Sequence, residues 1–237
     1  MYKGMYIAAS SAVMKMKQME IVTNNMANAA TYGFKQDGIG FRDFLVSEMS
    51  RKLQPMDGRD MTYVDKVFTD HESGAMVETG NQLDVAINGT GFFSLEGGKY
   101  TRAGNFKLDA EGFLTSANGT KVLGEGGPIQ LPLAAKVDIG ANGDVFADGQ
   151  AVDRLLIAQF DDTAQLVKVG DTAFQTDQAP LPPASSVVQG ILETSNVNIV
   201  REMVSMINLN REYEMNSKML QTLDEEANKV VNDMARM

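Results

Sequence analysis

A single histidine, His71, stands among 31 acidic and 21 basic side chains, and the chain has no cysteine. An imidazole can serve as a general base or a metal ligand, but here only carboxylates and hydroxyls could share the task. Cysteine nucleophiles, thiolate metal sites and disulfides are excluded. No G-x-S-x-G, H-E-x-x-H, Walker A or G-x-G-x-x-G spacing occurs. The carboxylates nearest to an acid–base pair for a hydrolase are Asp84, Asp109, Glu111 and Asp144, and they share no motif. Asp138-Ile-Gly-Ala-Asn142-Gly143 has the outline of a calcium loop. Gly140 stands where its third-position ligand belongs and Gly149 where its bidentate glutamate belongs, so a hairpin is the better reading. Asn88-Gly-Thr90 and Asn118-Gly-Thr120 match glycosylation sequons. Asn142-Gly143 repeats the dipeptide without a threonine, which favours turns at all three. The carboxylate pairs Asp161-Asp162 and Glu225-Glu226 read as solvated charge. The expectation is therefore no catalytic, cofactor or metal centre, and a function carried by surfaces.

Those surfaces depend on elements of two kinds. Of 16 methionines, six fall in residues 1–35 and six in 195–237, and none lies between Val77 and Asn196. In the first region Met5, Ala9, Ala12, Met16, Met19, Thr23 and Met26 alternate spacings of four and three, which predicts a helix from Gly4 to about Ala29 with a heptad seam. Gly33 is the stop signal. In the last region, from Ser195 to Ala235, Met203, Met206, Asn210, Tyr213, Ser217, Leu220, Asp224, Ala227, Val231 and Met234 continue the pattern, widened by Ile207, Leu223 and Val230. Ser195 or Asn196 is the expected cap.

Between the helices the spacing is that of short antiparallel strands. Asn88-Gly89, Asn118-Gly119, Asn142-Gly143 and Asp148-Gly149 signal hairpins between runs such as Leu83–Ile87, Phe92–Leu95, Val145–Ala147 and Leu155–Phe160. The predicted class is α+β: helices at both ends and an inserted antiparallel β-rich domain. The expected segments are 1–35 (first helix), 36–80 (connection, with a short helix over Phe41–Met49), 81–178 (β-rich domain), 179–194 (an extended Pro-rich return) and 195–237 (last helix). Neither helix has an obvious core for its seam except the other helix or neighbouring molecules.

Composition narrows the partners. A net charge of −10 disfavours nucleic acid and anionic membrane surfaces. No run approaches the ~20 apolar residues that span a bilayer. Lys15 and Lys17 interrupt the apolar run a secretory signal would need, so export, if it occurs, takes another route.

Three blocks carry a family resemblance. The first is Thr23-Asn-Asn-Met-Ala-Asn-Ala-Ala-Thr-Tyr-Gly-Phe-Lys35. The second joins Leu83-Asp-Val-Ala-Ile-Asn-Gly-Thr-Gly-Phe-Phe93 to Tyr100-Thr-Arg-Ala-Gly-Asn-Phe106. The third joins Leu192-Glu-Thr-Ser-Asn-Val-Asn198 to Glu202-Met-Val-Ser-Met-Ile207 and Arg211-Glu-Tyr-Glu-Met215. Together they resemble the flagellar rod and hook proteins. Gly124–Ile129 and Arg154–Phe174 look most like the proximal rod members, with the distal rod members the nearest alternative.

The resemblance implies an inner α-helical coiled-coil domain of paired terminal helices, with the β domain outside it, stacked into the periplasmic shaft. Its implied partners are proximal and distal rod proteins, copies of itself and the flagellar type III export apparatus, with export needing no cleaved signal. It implies no small-molecule substrate and no membrane insertion. The assembly interface is expected at Met5, Ala9, Ala12, Met16, Met19, Thr23, Asn24, Asn25, Met26 and Asn28, and at Met203, Met206, Ile207, Asn210, Tyr213, Ser217, Leu220, Ala227 and Val231. The reading from another class is an export chaperone or adaptor, which would carry amphipathic helices without needing an inserted β domain.

Overall fold

The computed structural model describes residues 2–45, 60–132, 136–161, 163–182 and 185–234. The chain divides into two compact units, one gathering residues 1–27, 37–68 and 198–237, the other 28–36 and 69–197.

The first unit is built on α1 (Tyr2–Ala27) and α2 (Ile199–Met234). Alanine and methionine are frequent in α1 and methionine and glutamate in α2, all strong helix formers. At 36 residues, α2 is about 54 Å long. It starts at Asn198, whose Oδ1 accepts the Arg201 N–H at 3.1 Å, with Glu202 in the first turn facing the positive end of the dipole. This corrects the expected cap. Ser195 Oγ instead accepts the Val197 N–H, and the Asn196 side chain is engaged by Gln36 and Asp70.

The helices lie side by side and antiparallel. Asn216 Nδ2 donates to Ser11 Oγ at 3.1 Å, and one turn along each helix Lys15 Nζ meets Glu212 at 2.5 Å. Ala8 and Ala12 are buried, small side chains that let the helices approach closely.

Beyond α1 the same unit contains β1 (Asp37–Leu45), paired with β2 (Asp60–Thr69). The short helix expected over Phe41–Met49 is thus a strand through Leu45, while 46–49 lie outside the described residues. The pairing of β1 with β2 decides this outcome, a contact between segments that local spacing does not show. Asn25, buried in α1, holds the start of β1. Its Oδ1 accepts the Asp37 N–H at 3.0 Å and its Nδ2 donates to the Asp37 carbonyl at 2.9 Å.

The strands of the second unit pair antiparallel, with one 3-10 turn at Thr163–Gln165. β3 (Met76–Glu78) pairs with 191–193, and β4 (Val85–Asn88) pairs with 186–189. Part of the expected Pro-rich return is therefore two ladder strands. β5 (Phe92–Leu95) and β6 (Lys99–Thr101) form a five-stranded sheet with 157–158, 167–168 and 173–175. A separate three-stranded sheet joins 137–139, 144–147 and 150–154.

β5 is buried on both faces and serves two cores by its period of two. Phe93 and Leu95 enter a core with Val85, Ile87, Phe106 and Val122, while Phe92 enters another with Phe160, Leu166 and Phe174.

Asp148-Gly149 makes a two-residue turn, with φ +50° and +81°, between Ala147 and its partner Gln150. Asn142-Gly143 turns the preceding hairpin, and Asn118-Gly119 turns the chain between the bridged residues Thr115 and Lys121. Asn88-Gly89 differs. β4 and β5 do not pair with each other, so the dipeptide is not a hairpin turn. Its loop is shaped by a side chain from elsewhere.

Candidate functional site

Three of the four carboxylates first considered for chemistry are spent on structure, and Glu111 takes part through its main chain. Asp84 accepts from Thr79 Oγ1 at 2.7 Å and Asn81 Nδ2 at 3.0 Å. Asp109 Oδ1 accepts the backbone N–H of Glu111 and Phe113 in a turn. Asp144 meets Arg154 Nε at 2.6 Å, and the Glu111 carbonyl accepts from Gln130. The His71 ring lies against Phe92 and Phe174, with centroids 5.8 and 5.2 Å apart. Among the described residues no three His, Asp or Glu side chains converge as a metal site would require.

A polar centre does exist, formed by one residue from each of the three signature blocks. Lys35 Nζ donates to Glu193 Oε1 at 2.6 Å, and Arg102 Nε donates to Glu193 Oε2 at 2.5 Å. The three side chains are 1–4% exposed. Glu193 Oε1 also accepts the Gly74 N–H at 3.0 Å, while Lys35 donates to the Glu72 carbonyl at 2.7 Å. Arg102 spends its remaining bonds on main chain: Nη1 to the Gly91 carbonyl at 2.6 Å, Nη2 to those of Ile87 and Gly89 at 2.9 and 2.7 Å. Three alternate carbonyls thus turn toward one guanidinium just where the β4 ladder ends at Asn88. Arginine suits this place because its planar fork serves several acceptors at once.

Backbone geometry seats the knot. Gly33 has φ +68°, donates its N–H to the Glu193 carbonyl at 2.8 Å and lies against the backbone of Ala103 where a Cβ would not fit. Phe34 behind it is buried under Lys168, whose ammonium sits 3.9 Å over the ring and donates to the Lys35 carbonyl at 2.8 Å. Gly104, two residues past Arg102, lies directly on the Val85 carbonyl. The Asn196 side chain then ties Gln36 N–H (2.8 Å) to the Asp70 carbonyl (3.0 Å). The Gly-Phe-Lys, Arg-Ala-Gly and Leu-Glu-Thr-Ser-Asn motifs are thereby one interlocked device.

The charges follow from this geometry. Burial pushes the Lys35 ammonium below its ordinary pKa, a pull only partly opposed by its hydrogen bond to Glu193. Burial alone would raise Glu193, but the Arg102 charge and the Lys35 bond outweigh it and hold the carboxyl below the ordinary range. Sequence reasoning had quoted these three residues inside the motifs and given them no role. Lys35 is the sole charge of the first block, but the second block also holds Asp84 and the third Glu202, Arg211, Glu212 and Glu214, so nothing local sets Arg102 and Glu193 apart.

The expected interface residues fall on several sides of the helical unit. On α1, Ala12 and Asn25 are buried and Met19 and Met26 half-buried, whereas Ala9, Met16, Thr23 and Asn24 are exposed. Asn28, in the second unit, accepts from Thr31 Oγ1 at 3.1 Å. On α2, Met206, Tyr213, Ser217, Leu220 and Ala227 are half-buried, and Met203, Ile207 and Asn210 are exposed. The side chains of Met5 and Val231 lie outside the described residues. α2 is apolar on two sides: Met206, Leu209 and Tyr213 lie on its half-buried side, while Val200, Met203, Val204 and Ile207 are 50–67% exposed.

Known proteins match this pattern. Residues 188–234 match the C-terminal family of flagellar basal body rod FlgEFG proteins, and 86–147 the flagellar hook protein FlgE/F/G D1 domain. The chain is 33% identical to the flagellar basal-body rod protein FlgF of Caulobacter vibrioides over the full length of both. It is 32% identical to FlgG of Agrobacterium fabrum (98% of this chain, 99% of the relative) and 31% identical to FlgG of Bacillus subtilis at the same coverage. The interlocked signature blocks and the end-to-end likeness agree: the chain belongs to the flagellar basal-body rod protein family, structural proteins of the basal body rather than enzymes.

Proposed function

We propose that this chain is a subunit of the proximal rod that joins its neighbours through the outer faces of its paired terminal helices. One observation carries the reading. The helix pair leaves the Val200–Met203–Val204–Ile207 side of α2 uncovered, four large apolar residues within two turns. Burying such side chains contributes about 1.5–3 kcal/mol each, enough to hold a helix of an adjacent subunit. In this arrangement the helices form an inner coiled-coil layer, the β unit lies outside, and torque passes from motor to hook through many parallel helix contacts in the periplasm. Export through the flagellar type III apparatus, without a cleaved signal, belongs to the same reading. Proximal placement rests on the Gly124–Ile129 and Arg154–Phe174 stretches, since relatives of both FlgF and FlgG type span the chain.

The test is Met203→Asp, made at a position already exposed. The purified variant should unfold at the wild-type urea concentration yet fail to enter basal bodies. Normal rods and motility in the variant strain would refute the interface. Electron microscopy of basal bodies from a strain lacking the chain tests the placement: a rod stopped short supports the proximal position, one missing only its outer end the distal position.

A further inference from the structure

The chain's oxidisable side chains are unevenly placed. It has 16 methionines but no cysteine and no tryptophan, so thioethers are its only sulfur nucleophiles toward a peroxide. Among the described residues neither core of the second unit contains methionine. The exposed thioethers lie mainly on the helices: Met16 of α1 and Met203, Met215 and Met219 of α2 are 48–62% exposed, with Met76 of β3 at 43%. Met203 differs from the others in its setting. With Val200, Val204 and Ile207 it makes up the uncovered apolar face of α2. At about 100° per residue, Met215 and Met219 project about 120° and 160° away from it around the helix.

We propose that Met203 is a site of reversible oxidation by peroxide, and that its sulfoxide keeps the chain from docking until it is reduced. The thioether sulfur attacks one peroxide oxygen and the O–O bond breaks. The leaving hydroxide takes the proton of the transferred oxygen and departs as water. Sulfur is oxidised by two electrons and the peroxide is reduced by two. Methionine sulfoxide reductase reverses the step: a pair of thiols is oxidised to a disulfide, and the oxygen leaves as water. The sulfoxide places a polar S=O inside the apolar face, and covering the face would then strip that oxygen of water. Leucine or valine would fill the position as an apolar contact but could not carry this chemistry. The fold tolerates the change because Met203 already stands in solvent. The inference rests on the reading of this face as the docking surface. A docked Met203 is covered, so oxidation acts before incorporation.

The purified full chain is treated with hydrogen peroxide, and the sulfoxide at each methionine is followed by peptide mass spectrometry. Met203 should oxidise in the folded chain at about the rate it shows in urea; a Met203 that oxidises only in urea would overturn the site. The consequence is read in a strain lacking the chain. Met203→Gln puts a polar amide where the sulfoxide would stand, and Met203→Leu an apolar side chain of like size that peroxide leaves alone. Met203→Gln should weaken docking about tenfold, the value of one apolar side chain left unburied, and yield few basal bodies, whereas Met203→Leu should match wild type. With sublethal hydrogen peroxide present during expression, wild-type basal bodies should become scarcer than those of Met203→Leu, a comparison in which all other oxidative damage is shared. Full incorporation of Met203→Gln, or equal peroxide losses in wild type and Met203→Leu, would overturn the switch. Those results leave the face itself standing as long as Met203→Asp fails to incorporate, so the two proposals fail separately.

Discussion

Replacing Glu193 by glutamine removes the single negative charge between two buried cations and keeps the side chain's size. Lys35 and Arg102 then face each other across a neutral amide, which can accept from one of them and presents N–H groups to the other. Breaking a buried pair by deleting one partner costs about 3–5 kcal/mol, which for a unit of this size lowers the melting temperature by about 10–20 °C. Lys35→Met is the informative contrast. It leaves Arg102 and Glu193 as a balanced pair, and the freed Glu72 carbonyl belongs to an exposed residue, so the cost is about 1–2 kcal/mol.

Acid separates the variants further. Glu193 is held below its ordinary value of 4.5, so its contribution is present above that value and is lost as pH falls through the folded-state value. Wild type should therefore lose stability over that window, and Glu193→Gln should lose less. Urea unfolding followed by far-ultraviolet circular dichroism at neutral and acidic pH measures all three chains. A Glu193→Gln protein within about 1 kcal/mol of wild type, or a Lys35→Met cost equal to it, would refute the charge-balance argument.

Two further substitutions probe how the motifs are seated. Asn25→Ala deletes both bonds to the Asp37 main chain and should cost about 1–3 kcal/mol with faster hydrogen exchange at the Asp37 amide; unchanged exchange would remove the proposed hold on β1. Gly33→Ala and Gly98→Ala form a matched pair, since both glycines have φ +68° but only Gly33 lies against another backbone. Gly98→Ala should cost about 1–2 kcal/mol from φ alone, and Gly33→Ala clearly more in the same urea titration. Equal costs would mean that the Gly33–Ala103 approach is not tight.

The parts of the fold legible in the sequence are those set by local preferences. Four-and-three spacing marked α1 and α2, because a helix repeats within a few residues and leaves its period in the chain. Asp148-Gly149 and Asn142-Gly143 marked hairpins, because positive φ is a property of the turn residues themselves. Where distant partners intervened, local signals misled. Asn88-Gly89 has the same chemistry as the true hairpin turns, but its Gly89 carbonyl, with those of Ile87 and Gly91, is taken by Arg102. Ser195 and Asn196 are good capping residues whose side chains are taken by other partners. Residues 186–193 hold the β-favouring Val187, Val188 and Ile191, but local sequence does not name a partner, and their pairing with β4 and β3 is seen only in the fold.

The same division runs through the functional reading. Residue types and order were enough to exclude thiol chemistry, to place apolar seams at both ends and to reveal the rod-family blocks, since each of these is written in neighbouring positions. That Lys35 and Glu193, 158 residues apart, would close on one another beside Arg102 was decided only by the folded chain. So was the uncovered face of α2. A heptad seam states which residues are apolar, whereas which of them a partner helix covers depends on how two whole helices lie together, and no local preference encodes that.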